Sequence, residues 1–352
     1  MEAVKTRYEN LDYLRGLCAL SIMAYHYIGW TLRGLDISTF LGKLGVYGVS
    51  MFYVLSGLTM YLVYFKSFNL DKTFFKNFYV KRFFRIYPLM WFVMILAIVM
   101  YGTNSSPMDL AIQFSGLFGI VDWTSVVPVG IWSIGNELSF YLMLPLFFYC
   151  MKKGSISTIG ISILVFSIYC YFAFFLFDKT QPVANQDSFY KNPLNQAGLF
   201  LGGILIGHFF KERRYKNIPV LVLLGTLLIA FIFYPVSGNA INIVAGWERI
   251  IYTLICFGIA FCFLKADFNF IPSLVKKSLS WFGDISYSLY LLHPHIWALV
   301  TYTSLKIRFV FPIACVATLV VCWLVYKYLE SPARNLGVKL VSHNPGGSPS
   351  DK

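Results

Sequence analysis

Four groups of ionisable side chains interrupt stretches that are otherwise apolar, and their types and spacing set the chemistry to look for. Asp12, Arg15 and His26 share the first stretch. Arg15 and His26 are eleven residues apart, about three helical turns, so a helix sets them on one face roughly 16 Å apart. Lys81, Arg82 and Arg85 follow, at spacings that gather three cations on one side of a helix. Such a cluster suits phosphate oxygens. Glu137, with Ser133 one turn before it, falls about 7 Å into another helix entered from the opposite side. A carboxylate at that depth could orient the His26 imidazole or stabilise its charged form. Last come Ser286, Tyr290 and His293, spaced along one face just before Pro294, as candidate cavity-lining residues.

Each group also has a structural explanation. An Arg can snorkel, a His can bond a neighbouring helix, a basic cluster can anchor to lipid headgroups, and Glu137 can bond Ser133 or a Tyr. For the basic cluster, composition alone favours the anchor. For Arg15 and His26, their shared face favours function, because ionisable groups inside a membrane are costly to keep.

What positions these groups is a bundle in lipid. The chain has 352 residues, 58% of them hydrophobic and only 13% charged, about half the charge density of a soluble domain. A span takes roughly 20 apolar residues as a helix, because the backbone must satisfy its own hydrogen bonds in hydrocarbon. Ten runs meet this pattern, so the expected fold is all-α and polytopic, with about ten transmembrane helices. They lie near 11–32, 46–65, 84–102, 132–151, 156–177, 196–210, 218–236, 247–264, 281–303 and 309–329. The amphipathic segment 109–121 reads as interfacial or re-entrant. With the N-terminus inside, inner segments carry 21 Lys and Arg and outer segments seven, which places both termini in the cytoplasm. The first run lacks a clear cleavage site and reads as a retained helix. Residues 1–336 read as one membrane domain and 337–352 as a disordered cytoplasmic tail, with no soluble domain appended.

The formal charge of +13 sits in short clusters between apolar runs, which argues for lipid contact and against nucleic acid. None of the seven cysteines has metal-ligand spacing, so inert thiols are expected and no metal site.

The segments LDYLRGLCALSIMAYHY, GVYGVSMFYVLSGLTM, KRFFRIYPLMW, WSIGNELSFYLMLP, ISYSLYLLHPHIW and ESPARN, in that order from about residue 10 to 335, resemble the membrane acyltransferase-3 family. The resemblance implies a multi-helix O-acyltransferase of surface polysaccharides or small molecules, with acyl-CoA as a co-substrate entering from the cytoplasm. It implies His26 as the main catalytic residue, Arg15 as its partner, and roles for Arg82, Arg85 and Glu137. Lys81 stands where an Arg is often found, which keeps the charge but loses the planar fork. Ser50 stands where many members carry Asp, so no acidic role carries over there.

On this basis Arg15, Lys81, Arg82 and Arg85 would hold the phosphates of CoA. His26 would take the acceptor's proton, or form an acyl-imidazole; the sequence leaves both routes open. Trp30, Trp123 and Trp132 are candidates to stack on sugar rings, and Asn185 and Asn192, with Asp187 and Asn195, to bond hydroxyls. The expected acceptor is a glycan such as O-antigen, acetylated at the outer face of a bacterial inner membrane. A small-metabolite acceptor stays open, as do a proton-coupled transporter and a lipid-linked glycosyltransferase.

Overall fold

The computed structural model describes residues 8–32, 34–124, 130–303 and 307–342, and among these every regular element is helical. A helix underlies each of the ten expected runs. In chain order they are α1 (Glu9–Leu32), α2 (Phe40–Tyr64), α3 (Lys72–Tyr101), the short α4 (Pro107–Ser115) and α5 (Phe118–Val121), α6 (Ile131–Lys153) and α7 (Ser155–Tyr171). There follow α8 (Asp187–Tyr190), α9 (Pro193–Phe210), α10 (Asn217–Phe233), α11 (Ile241–Val244), α12 (Gly246–Lys265), α13 (Ser273–Tyr302), α14 (Ile307–Val325) and α15 (Ser331–Ser342).

Helix starts follow capping chemistry more than hydropathy. Expected to start at 46 and 84, α2 and α3 begin at Phe40 and Lys72 instead, because Thr39 accepts the Gly42 amide and Asp71 the Phe74 amide. Six helical stretches are long and apolar enough to cross a membrane: Phe40–Tyr64, Lys72–Tyr101, Ile131–Lys153, Ser155–Leu176, Gly246–Lys265 and Phe309–Ser342. Helices α1 and α13 fall outside that set because polar residues interrupt them, among them Arg15, Tyr25 and His26 in one and Tyr287, Tyr290, His293 and His295 in the other. Both lie against each other within the bundle rather than facing lipid alone.

The bundle is built around α1, α2 and α13, with α9 and α12 packed behind α2. Two contacts need glycine. On Gly57 of α2 a β-carbon would lie 1.9 Å from the Phe200 carbonyl oxygen of α9, and on Gly203 2.0 Å from that of Val54. Between α1 and α13, a β-carbon on Gly16 would lie 2.7 Å from the Gly283 nitrogen. Small residues thus let backbones touch where no hydrophobic force drives helices together.

The segment 109–121, expected to be interfacial or re-entrant, holds α4, opened by a Ser106–Asp109 capping box, and α5, which packs on α6. One expectation changes. Residues 337–342, expected to be disordered, continue α15, and Gly337 lies against Phe84 of α3. The Gly/Ser/Pro composition that suggested disorder belongs to 343–352, which lie outside the described residues.

Candidate active site

A cavity of about 580 Å³ opens among α1, α2, α3, α6, α13 and the α14–α15 junction, within the usual size range of ligand pockets. Five cations line it: the expected Arg15, Lys81, Arg82 and Arg85, and Arg334 of α15. They are not equally available. Arg15 donates to Asp12 Oδ1 at 2.7 Å, to the Leu55 carbonyl at 3.3 Å and to the Thr59 hydroxyl. Arg82 donates Nη2 to the Tyr64 hydroxyl at 2.8 Å and stands 5.2 Å from the Tyr64 ring centre and 5.6 Å from that of Tyr141. Its Nε is buried and has no partner among the described residues. An unpaired buried guanidinium N–H is costly, and a ligand oxygen would satisfy it. The cluster that composition alone assigned to lipid anchoring therefore faces a cavity.

Glu137 also lines the cavity, but it does not pair with His26. Its Oε1 accepts from Ser56 at 3.0 Å and from the Tyr141 hydroxyl one turn on. The carboxylate is thus placed by α2 and by its own helix, among the cations, and the proposed orienting contact to the imidazole is absent from the geometry. The spacing that set Glu137 and His26 at similar depth carried no information about direction.

At the far end the cavity is lined by Phe52, Ser133 and Tyr290. The Ser133 and Tyr290 hydroxyls lie 2.9 Å apart, and both reach the Gly130 carbonyl, at 2.8 and 3.3 Å. Ser286 lines the wall as expected, whereas His293 and His26 are not among the lining residues.

His26 instead meets His293. Parallel helices α1 and α13 touch at Gly16 and Gly283, and ten residues further along each of them a histidine faces the other. His26 Nδ1 lies 2.8 Å from His293 Nε2, and His293 Nδ1 lies 2.9 Å from the Leu289 carbonyl. Trp30 stacks on His26 with ring centres 5.1 Å apart and planes 11° from parallel. Fully buried Tyr27 accepts from Thr318 at 2.6 Å and donates to the His293 carbonyl at 2.9 Å. That second bond fixes α13 next to Pro294, which has no amide to contribute to the helix.

The remaining candidates are spread across the far side. Trp123 donates to the Ser188 carbonyl at 2.8 Å, joining two connecting segments, and Trp132 packs on Tyr190 with ring centres 5.5 Å apart. Asn192 caps α9 by accepting from the Leu194 amide, while Asn185 donates to Gln181. Asp187 pairs with Lys191, and buried Asn195 donates to the Tyr190 carbonyl. Local bonds account for these side chains apart from the buried Asn195 Oδ1, which has no partner among the described residues, and of the set only Trp30 touches an expected catalytic group.

Sequence reasoning gave no role to Glu330, although it opens the ESPARN motif. This buried carboxylate lines the cavity, accepts from Ser288 at 2.8 Å, and ends a π-helical turn between α14 and α15. An acidic residue closing a long apolar run was the available signal. Among the described residues, no cluster of His, Cys, Asp or Glu is arranged to hold a metal.

A family model described as an acyltransferase domain, that of acyltransferase-3, matches residues 8–327, so the chain belongs to that family and is a multi-pass membrane protein of the acyltransferase class. Among curated proteins it is 24% identical to the O-acetyltransferase OatA of Staphylococcus aureus (strain NCTC 8325), over 96% of this chain and 58% of that protein. It is 23% identical to a protein of S. aureus (strain COL) provisionally named as an O-acetyltransferase, over 98% of this chain and 60% of that protein. The chain thus spans about three-fifths of the length of these relatives. No solved structure gives a significant match.

Proposed function

We propose that the chain is a membrane O-acyltransferase that moves an acyl group, in the first instance acetyl, from cytoplasmic acyl-CoA to a glycan hydroxyl on the outer side of a bacterial inner membrane. The observation that carries this reading is the division of labour along one bundle. A cavity with a buried, unpartnered Arg82 N–H lies at the end bearing the basic cluster, and a paired imidazole lies beyond the far end of that cavity. The names of the relatives point the same way.

In this mechanism the phosphates of CoA sit against Lys81, Arg82 and Arg85, where charge-assisted hydrogen bonds are strongest. The thioester arm extends past Glu137 towards Ser133 and Tyr290. His26 takes the proton from the acceptor hydroxyl as its oxygen attacks the thioester carbonyl. The tetrahedral intermediate collapses, the C–S bond breaks, and the proton passes from His26 to the departing CoA thiolate. The ester and free CoA are the products, and the thioester supplies the driving force. An O-antigen-like glycan is the proposed acceptor, and Trp30, partly exposed beside His26, is the proposed stacking surface for a sugar ring.

The test is transfer in sealed vesicles. Labelled acetyl-CoA is supplied on the side bearing the basic cluster, and glycan acceptor on the other. Label should reach the glycan with the wild type and not with His26→Ala at equal abundance. Equal transfer by the two would remove His26 from the chemistry, and label uptake without ester formation would favour a transporter.

A further inference from the structure

We propose that His293 is the positioning residue that sets the tautomer of His26, doing with an imidazole what a carboxylate does in a catalytic triad. This deepens the acyltransferase reading and rests on it for its kinetic consequence, though the tautomer itself does not.

The assignment follows from which atoms can donate. The Leu289 carbonyl can only accept, so His293 Nδ1, 2.9 Å away, must carry a proton. A neutral His293 then has an unprotonated Nε2, which can only accept. That atom lies 2.8 Å from His26 Nδ1, so His26 Nδ1 must be the donor. His26 is thereby left neutral with its proton on Nδ1 and a lone pair on Nε2. Free histidine favours the opposite tautomer, with the proton on Nε2, in which that atom is neither base nor nucleophile. The relay Leu289 carbonyl–His293–His26 therefore selects the reactive form before substrate arrives.

The surroundings hold the relay in register. His293 is 1% exposed, and its backbone is tied by Tyr27, whose own hydroxyl is fixed by Thr318 of α14. Trp30 covers one face of His26 and limits rotation about its side-chain bonds. His26 Nε2 has no hydrogen-bond partner among the described residues, as expected of an atom kept for substrate. When His26 gains a proton during transfer, His293 Nε2 remains an acceptor for its Nδ1–H, so the imidazolium is stabilised without any rearrangement. The two rings, at 2.8 Å, hold one added proton between them, since two adjacent cations would repel.

The experiment combines nitrogen-15 histidine spectra with kinetics on the full-length protein in bilayers, comparing wild type, His293→Leu and His293→Gln. Gln places an amide oxygen near the position of Nε2 and can accept the same bond; Leu cannot. At about pH 8, where histidines are neutral, wild-type His26 should show Nδ1–H and a bare Nε2. His293→Leu should shift it towards Nε2–H, and His293→Gln should restore the wild-type pattern. In acyl transfer, His293→Leu should lower kcat by roughly 10²-fold while KM for acyl-CoA stays within about threefold, and Gln should recover most of the loss. A His26 tautomer unchanged in His293→Leu, or found as Nε2–H in the wild type, overturns the proposal. A wild type that forms no ester overturns the acyltransferase reading instead, and the spectra still decide the tautomer.

Discussion

The cation-lined cavity and the imidazole pair lie in one bundle and are held by opposite means. In the cavity, Arg15 is fixed by Asp12, Leu55 and Thr59, but Arg82 keeps a buried N–H without a partner. Around the histidines, His293 is bonded at both ring nitrogens, and Tyr27 is bonded to two neighbours. An unpaired donor beside a cavity leaves a bond for a ligand to make; a closed chain of hydrogen bonds holds a group's orientation. In the proposed mechanism, binding and chemistry are separated along the bundle, with Ser133, Tyr290 and Phe52 between them.

The largest expected effect breaks the comparison on its chemical side. His26→Ala should reduce turnover by about 10³-fold, within the range for loss of a general base, and leave the affinity for CoA near the wild-type value. On the binding side, Arg82→Ala should weaken CoA by roughly 10- to 100-fold, as for a lost hydrogen bond to a charged group of about 1.5–3 kcal/mol, with kcat at saturation little changed. Isothermal titration and saturation kinetics on the same preparations separate the two.

Gly16→Ala should damage the histidine pair more than the cavity. Its β-carbon would lie 2.7 Å from the Gly283 nitrogen, so α1 and α13 must part, at a cost of about 1–3 kcal/mol for overpacking. Lower thermal stability together with loss of the His26 Nδ1–H signal would show it. Glu137→Gln sharpens the boundary between the regions. Since Glu137 bonds Ser56 and Tyr141 and not His26, its pH profile for kcat should match the wild type, with less than about a tenfold change in rate. A displaced profile would restore the Glu137–His26 pairing expected from sequence.

The smallest effect lies outside both regions. Asp36 accepts the amides of Ser38 and Gly238, and these bonds hold its carboxyl below the usual carboxylate range. A carboxylate so depressed contributes stability above its ordinary pKa of about 3.9 and loses it as the pH falls through the folded-state value. Asp36→Asn should therefore lower the melting temperature slightly near neutral pH and flatten its decline in acid.

These comparisons also show what sequence could and could not carry. Each apolar run was legible as a helix, and six helical stretches are long and apolar enough to cross a membrane, because lipid imposes length and composition on any helix that crosses it. The cations at 81–85 and the acid at 137 were visible as charges in the wrong solvent, while Glu330 at the end of its apolar run was passed over, and charge does not say what it faces. Arg82 became a candidate ligand donor only once Tyr64 and Tyr141 were seen around it. Glu137 was assigned to the wrong partner because helical spacing fixes depth and not the azimuth between helices. The His26–His293 contact depends on the register of two helices 267 residues apart, set by Gly16 against Gly283, and no local pattern encodes that.

The central claim is that donor binding and proton transfer reside in different parts of the bundle, and CoA titration of His26→Ala beside acyl transfer by the same protein tests it most directly. CoA binding at wild-type strength with transfer abolished is the predicted result. Transfer retained without His26, or CoA affinity lost together with it, would contradict the separation.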